Sequence, residues 1–104
     1  MLSRTPYEAI PNTEAAHVST LATATATRLS ALAGVTIHAN TGAVVMQAEG
    51  TVRFTTTTAT APTAAIGYKL DAGDIVELSR AEFEACRVIR TGGTDVALQI
   101  AQLK

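Results

Sequence analysis

Aromatic side chains are scarce in this chain of 104 residues. They make up 4% of it, and tryptophan is absent. Much of the 47% hydrophobic fraction is alanine, so the core must be built from small and β-branched side chains. A fully buried Val or Leu stabilises a fold by only about 1.5–3 kcal/mol. We therefore expect one domain with a modest core that gains stability from other subunits.

Charged side chains are also few, at 16% of the residues with a net charge of -1. Nucleic-acid binding requires a clustered basic surface or stacking aromatics, and the basic residues here are scattered among acidic ones. No stretch approaches the roughly 18 apolar residues of a membrane helix. We expect neither nucleic acid nor a membrane as a partner. A weakly charged surface rich in Ala and Thr is typical of faces that meet other proteins.

The sequence also lacks recognisable reaction chemistry. It has one cysteine, Cys86, which excludes an intrachain disulfide. We interpret Cys86 as a small buried hydrophobe, because neither His17 nor His38 stands in a motif that would activate it. No nucleophile elbow, phosphate-binding loop or zinc motif occurs. Glu82 and Glu84 are better explained as a solvated face than as an acid–base pair. We predict no enzymatic activity, no cofactor and no metal.

Residues 1–14 are predicted to form an extended arm, because Pro6 and Pro11 block regular strand pairing. Three apolar residues lie on this otherwise polar segment: Leu2, Tyr7 and Ile10. One interpretation is a frayed terminus. The other is a strap that docks on a neighbour, since a free tail has little reason to carry such residues.

Residues 15–104 are predicted to form a single all-β domain, an antiparallel β-sandwich or flattened barrel with one short helix. Alternation of apolar and polar residues indicates its strands. The stretches are 18–29, 34–40, 43–50, 51–55, 66–70, 75–78, 86–90 and 95–103. The Thr/Ala-rich stretch from Thr55 to Ala65 is either a linker between domains or a loop. Neither half of the chain could easily bury its own core, so we predict a loop within one sheet system, with threonines extending the flanking strands.

The turns of this domain carry local signals. Asp71–Asp74 predicts a tight turn that uses Gly73, and calcium binding there is a weak alternative. Ser79 and Glu82 match a capping box for a short helix that places Phe83 in the core. Gly92-Gly93, between two alternating stretches, predicts a β-hairpin with positive φ angles.

Residues 51–103 resemble small virion proteins of tailed bacteriophages. In that pattern a V-R-[FYW] strand is followed by a Thr/Pro loop, a G-[aliphatic or Tyr]-x-L strand and a final F-I-R hairpin. The matching residues are Val52–Phe54, Thr58–Thr63 with Pro62, Gly67 with Tyr68 and Leu70, and Val88–Arg90. The loop departs from the pattern, because threonine and alanine replace its Asp-Gly turn. The resemblance implies a small β-sandwich without enzymatic activity in a phage particle.

From the resemblance we expect a capsid cement or decoration protein that binds the major capsid protein or other virion proteins, oligomerises, and is assembled in the host cytoplasm. The expected partner-binding residues are Leu2, Tyr7, Ile10, Arg53, Thr58 and Pro62. One alternative is a neck, head–tail connector or fibre-base protein. Another is a carbohydrate-binding module for the host surface, which requires exposed aromatic platforms. The sequence argues against that module, since packing explains Tyr7 and Tyr68 better.

Overall fold

The fold is described by a computed structural model over residues 14–103, with side chains from His17 onward. Residues 1–13 of the predicted arm lie outside the described residues, and strand pairing begins at Glu14. Within residues 14–103 there are eight strands: β1 Glu14–Ala22, β2 Thr27–Arg28, β3 Ala43–Ala48, β4 Val52–Thr55, β5 Tyr68–Leu70, β6 Ile75–Ser79, β7 Arg87–Arg90 and β8 Val96–Leu103. A single 3₁₀ turn spans Leu29–Ala31, and one helix, α1, spans Arg80–Ala85.

The strands form two four-stranded antiparallel sheets. The first sheet has the order β1-β8-β3-β6, and the second has the order β2-β7-β4-β5. β1 pairs with β8, β2 with β7, β3 with β6 and β4 with β5, and every pair is antiparallel. The strands are therefore paired as in one long hairpin whose tip is the β4–β5 loop, and this hairpin is rolled up so that its strands fall into two sheets. This connectivity is that of a jelly roll. The predicted all-β sandwich with one short helix is confirmed.

The core lies between the two sheets and consists of small and branched side chains. It includes Val44, Met46 and Ala48 of β3, which are fully buried. Its members from the other strands include Val52, Phe54, Leu70, Leu78, Val88, Leu98 and Ile100. Ser79 and Glu82 form the predicted capping box at the start of α1. Phe83 of that helix is fully buried and belongs to the core, as predicted.

The Thr/Ala stretch is a loop at the tip of the rolled hairpin. It joins β4 to β5, which pair directly in the second sheet, so the prediction of a loop within one sheet system is right. The threonines do not extend the strands, because β4 ends at Thr55 and β5 begins at Tyr68. Instead, the Thr55 hydroxyl donates a 2.7 Å hydrogen bond to the Thr60 carbonyl, which folds the loop back on its own strand.

The predicted strand 18–29 is confirmed at 18–22 and 27–28 but is interrupted between them, and the predicted strand 34–40 is wrong; at both places side chains bind the backbone. In the stretch 18–29, the Thr25 N–H donates to the Thr23 hydroxyl at 3.3 Å, and the Thr27 hydroxyl donates to the Thr25 carbonyl at 2.8 Å. These local bonds compete with strand pairing and separate β1 from β2. In the stretch 34–40, Gln102 bonds the backbone of Thr36 and His38, so this segment is held by a side chain rather than by a neighbouring strand.

The predicted Gly92-Gly93 hairpin is also wrong. β7 pairs with β2 and β4, whereas β8 pairs with β1 and β3, so the segment between them crosses from one sheet to the other. Neither glycine has a positive φ, and a Cβ on either would meet nothing within 4 Å. The prediction for Asp71–Asp74 is confirmed, since the Asp74 N–H donates to the Asp71 carbonyl and Gly73 has a φ of 89°.

Candidate interaction surfaces

The sandwich has two open sides, where the edges of its sheets face each other. The edge strands β1 and β2 border one side, and the edge strands β5 and β6 border the other. A cleft of roughly equal size lies at each, of about 450 Å³ and about 440 Å³ respectively. We call them the β1 groove and the Tyr68 cleft.

The β1 groove is lined by small and aliphatic side chains. Its residues are Ser19–Leu21, Thr23, Thr27 and Ala31–Ala33. Leu21 is 49% exposed, which makes it one of the few large apolar side chains that reach solvent. Within residues 14–103, no strand pairs with the outer edge of β1. That edge is nine residues long and contains neither lysine nor proline, the residues that usually protect an edge strand from pairing.

The Tyr68 cleft is more polar and contains aromatic rings. Its apolar floor is formed by Phe54, Leu70, Val76 and Leu78, and its rim by Thr56, Tyr68, Lys69, Glu77 and Glu82. The edge strands beside it are short, with three residues in β5 and five in β6. This side therefore offers little backbone for strand pairing but a varied set of side chains.

Tyr68 projects from this cleft, so the prediction that packing accounts for it is wrong. It pairs with Phe54 across the sheet, and the two ring centroids are 5.5 Å apart at an angle of 38°. Tyr68 nevertheless remains 68% exposed, and nearby Ile66 is 52% exposed. Alternation placed Tyr68 on the same face as buried Leu70, which is correct, but β5 is an edge strand and its first residue lies at the rim of the sandwich.

The other predicted site residues hold the Thr/Ala loop against the second sheet. Arg53 donates from Nε to the Ala64 carbonyl at 3.1 Å and from Nη1 to the Gly67 carbonyl at 2.8 Å. Thr58 is exposed, and its carbonyl accepts from Arg87. Pro62 is fully buried. Arg53 and Pro62 thus make their contacts within the protein itself. Partner binding by this loop stays a prediction that depends on its exposed residues.

The remaining predicted site residues, Leu2, Tyr7 and Ile10, lie outside the described residues. Among the residues that the structure does describe, sequence reasoning missed Leu21 and Ile66 as surface features. The available signal for Leu21 was alternation, because Ser19 and Leu21 share the exposed face of β1 while Thr20 and Ala22 are buried, and Ile66 ends the Thr/Ala stretch. A periodic pattern gives the face of a strand but not whether the opposite sheet reaches far enough to cover it.

Cys86 is fully buried beside the end of α1, as predicted. Burial, and secondarily the negative charge of Glu82, raise the pKa of the Cys86 thiol from 9.0 to about 12. The thiol is therefore neutral and unreactive near neutral pH. In the described part of the chain, no three residues among histidine, cysteine, aspartate and glutamate are grouped as metal ligands would be.

Comparison with protein-family models, with curated proteins and with solved structures finds no match to this chain. Over residues 14–103, no helix has the length and apolar character needed to cross a membrane.

Proposed function

We propose that this protein is a non-enzymatic structural protein of a tailed-bacteriophage particle, a capsid cement or decoration protein that binds the lattice of the major capsid protein. One observation carries the proposal. Three of the four sequence elements that resemble phage virion proteins lie on or next to β4, β5 and β7, which are adjacent strands of the second sheet, and the fourth is the loop between β4 and β5. Val52 is paired with both Leu70 and Arg90, so these elements form one structural unit.

The fold and the surface are compatible with this role. Eight-stranded jelly rolls occur in viral capsid proteins, although they also occur in lectins and cupins, so fold alone does not decide the function. The low charge and the exposed Leu21 beside β1 give this surface the apolar character that binding to other proteins requires.

The β1 side is the part of the molecule that meets the lattice. Its long unpaired edge can add an extended segment of a partner to the first sheet, with backbone hydrogen bonds supplying the attraction. The predicted arm precedes β1 directly, so its apolar residues and the β1 groove would act on the same neighbour. Each such contact is weak, and repetition over the lattice supplies avidity.

The test is the number of copies per purified particle, measured by quantitative mass spectrometry against the major capsid protein. A protein of the shell is expected in numbers on the order of hundreds, because the lattice repeats its binding site. About a dozen copies or fewer would instead place it in the neck or at a fibre base, where ring symmetry limits the number. Its absence from purified particles would refute both roles.

A further inference from the structure

The Tyr68 cleft combines an apolar floor with an exposed aromatic ring, and nothing in the proposed shell-binding role uses it. Phe54, Leu70 and Leu78 are at most 5% exposed and form a preformed floor. The volume of about 440 Å³ lies within the range of small-molecule sites, which is roughly 300–1,000 Å³. The cleft is therefore large enough for a ligand of one or two sugar rings.

The Tyr68 ring packs against the ring of Phe54. Tyr68 pairs with Phe54 in the β4/β5 ladder, and the two rings are in contact at a centroid distance of 5.5 Å. A side chain that is partly restricted by packing loses less conformational entropy when a ligand stacks on it. Tyr68 is nevertheless 68% exposed, so a ligand has access to it.

The rim of the cleft supplies both donors and acceptors. The Glu82 carboxylate is held by the capping box, in which its Oε1 accepts from the Ser79 N–H at 2.8 Å. A carboxylate has about four lone-pair positions, so Glu82 keeps capacity for further donors. The Lys69 ammonium and the Thr56 hydroxyl line the same cleft and add donors.

We propose that the Tyr68 cleft binds a neutral saccharide. An apolar face of the sugar ring stacks on Tyr68, while its hydroxyls donate to Glu82 and accept from Lys69 and Thr56. Lys69, the one cation among the residues that line the cleft, is already paired with Asp71 at 3.7 Å, and the Glu82 carboxylate lies in the same lining, so the cleft does not favour an anionic ligand. A wholly apolar ligand would remove water from these charges without replacing it. A saccharide satisfies both requirements, and the proposal stands whether or not the protein belongs to a capsid.

The test is a titration of the ¹⁵N-labelled full chain with glucose, galactose, mannose, N-acetylglucosamine, lactose and maltose, followed by amide chemical shifts. At least one sugar is expected to give saturable shifts concentrated in residues 54–56, 68–70 and 76–82. Tyr68→Ala should weaken that binding at least about tenfold, because it removes the platform. Tyr68→Phe keeps the ring and should stay within about threefold.

Ile66→Ala is the matched control. Ile66 is 52% exposed and lies two residues before Tyr68, but it does not line the cleft. It should leave sugar binding unchanged. If none of the six sugars shifts these amides, the proposal is wrong. It is equally wrong if Ile66→Ala weakens binding as much as Tyr68→Ala, because an extended apolar contact, typical of a protein partner, would then explain the surface better.

Discussion

The two open sides of the sandwich have clefts of nearly the same volume and opposite character. On the β1 side, a nine-residue edge strand runs beside a groove of small side chains. On the β5/β6 side, the edge strands have three and five residues, and the cleft carries an aromatic ring and charged groups. The β1 side therefore offers unpaired backbone, which suits a strand-like partner. The β5/β6 side offers a varied set of side chains, which suits a small ligand.

The largest difference in stability loss between the two sides is expected when a glycine on each side is replaced by alanine. Gly67 precedes β5 with a φ of 121°, and an added Cβ would lie 2.8 Å from the Phe54 carbonyl oxygen, a backbone atom that cannot move away. Gly67→Ala should lower the free energy of unfolding by about 3 kcal/mol. Gly34, on the β1 side, has a φ of 81° and would meet only the Val18 side chain at 3.2 Å. Gly34→Ala should lower the free energy of unfolding by about 1 kcal/mol.

Urea unfolding of the two variants measures this difference. Gly92→Ala is the control, since Gly92 has no positive φ and no atom within 4 Å of the added Cβ. It should leave stability within about 0.5 kcal/mol of the parent. Equal losses for Gly34→Ala and Gly67→Ala would contradict the backbone clash at Gly67.

The long loops of the two sides are held by side-chain hydrogen bonds, and the Gln102 side chain is buried whereas the Arg53 side chain is partly exposed. Gln102 is 2% exposed, and its Oε1 accepts from the His38 N–H at 3.1 Å and the Thr41 hydroxyl at 2.7 Å. Gln102→Leu should cost about 2 kcal/mol of stability, because buried polar groups lose their partners. Arg53→Leu should cost about 1 kcal/mol or less, since water replaces its bonds to the Thr/Ala loop.

Thermal unfolding of these two variants checks that order. A parent-like melting temperature for Gln102→Leu would show that the buried bonds do not hold the segment from Thr36 to Thr41.

A change in partner binding without a change in stability is expected from the exposed apolar residues. Leu21→Lys places a charge beside the β1 edge and should weaken binding to purified particles about tenfold, or 1.4 kcal/mol. Ile66→Lys makes the same change on the other side and should bind normally. Co-sedimentation with particles that lack the protein measures both. A larger loss with Ile66→Lys would assign docking to the β5/β6 side.

The smallest change is expected in the shared interior, at Cys86. Its thiol should not react with a disulfide reagent near pH 8 until denaturant is added, because it is buried and neutral. Its pKa rises from 9.0 to about 12 on folding, so its contribution to stability is complete below pH 9 and is lost as the pH rises through 12. Cys86→Ala should remove that part of the alkaline dependence. Rapid labelling of the native protein would show an open interior.

Local patterns predicted most of the elements but not their partners. Alternation indicated β3, β4, β6 and β8, and the Ser79–Glu82 spacing indicated α1, because these signals depend on neighbours in sequence. The same alternation around Gly92-Gly93 suggested a hairpin, although β7 and β8 belong to different sheets. Which sheet a strand joins depends on contacts between distant residues, and no local spacing records them.

The candidate surfaces were harder to predict for a related reason. Tyr68 was assigned to the correct face, but its exposure depends on where the opposite sheet ends. The strand predicted around Thr36 and His38 is absent because Gln102, more than sixty residues away, binds that backbone. Leu21 is exposed because it lies on the outward face of β1, between Thr20 and Ala22, which are buried.

Hydrogen exchange of the free and the particle-bound protein tests the assignment of the two sides most directly. If the β1 edge docks on the lattice, amides of Glu14–Ala22 should become protected on binding, while those of Tyr68–Leu70 and Ile75–Ser79 keep their rates. Protection of the β5 and β6 amides without any change in β1 would contradict it.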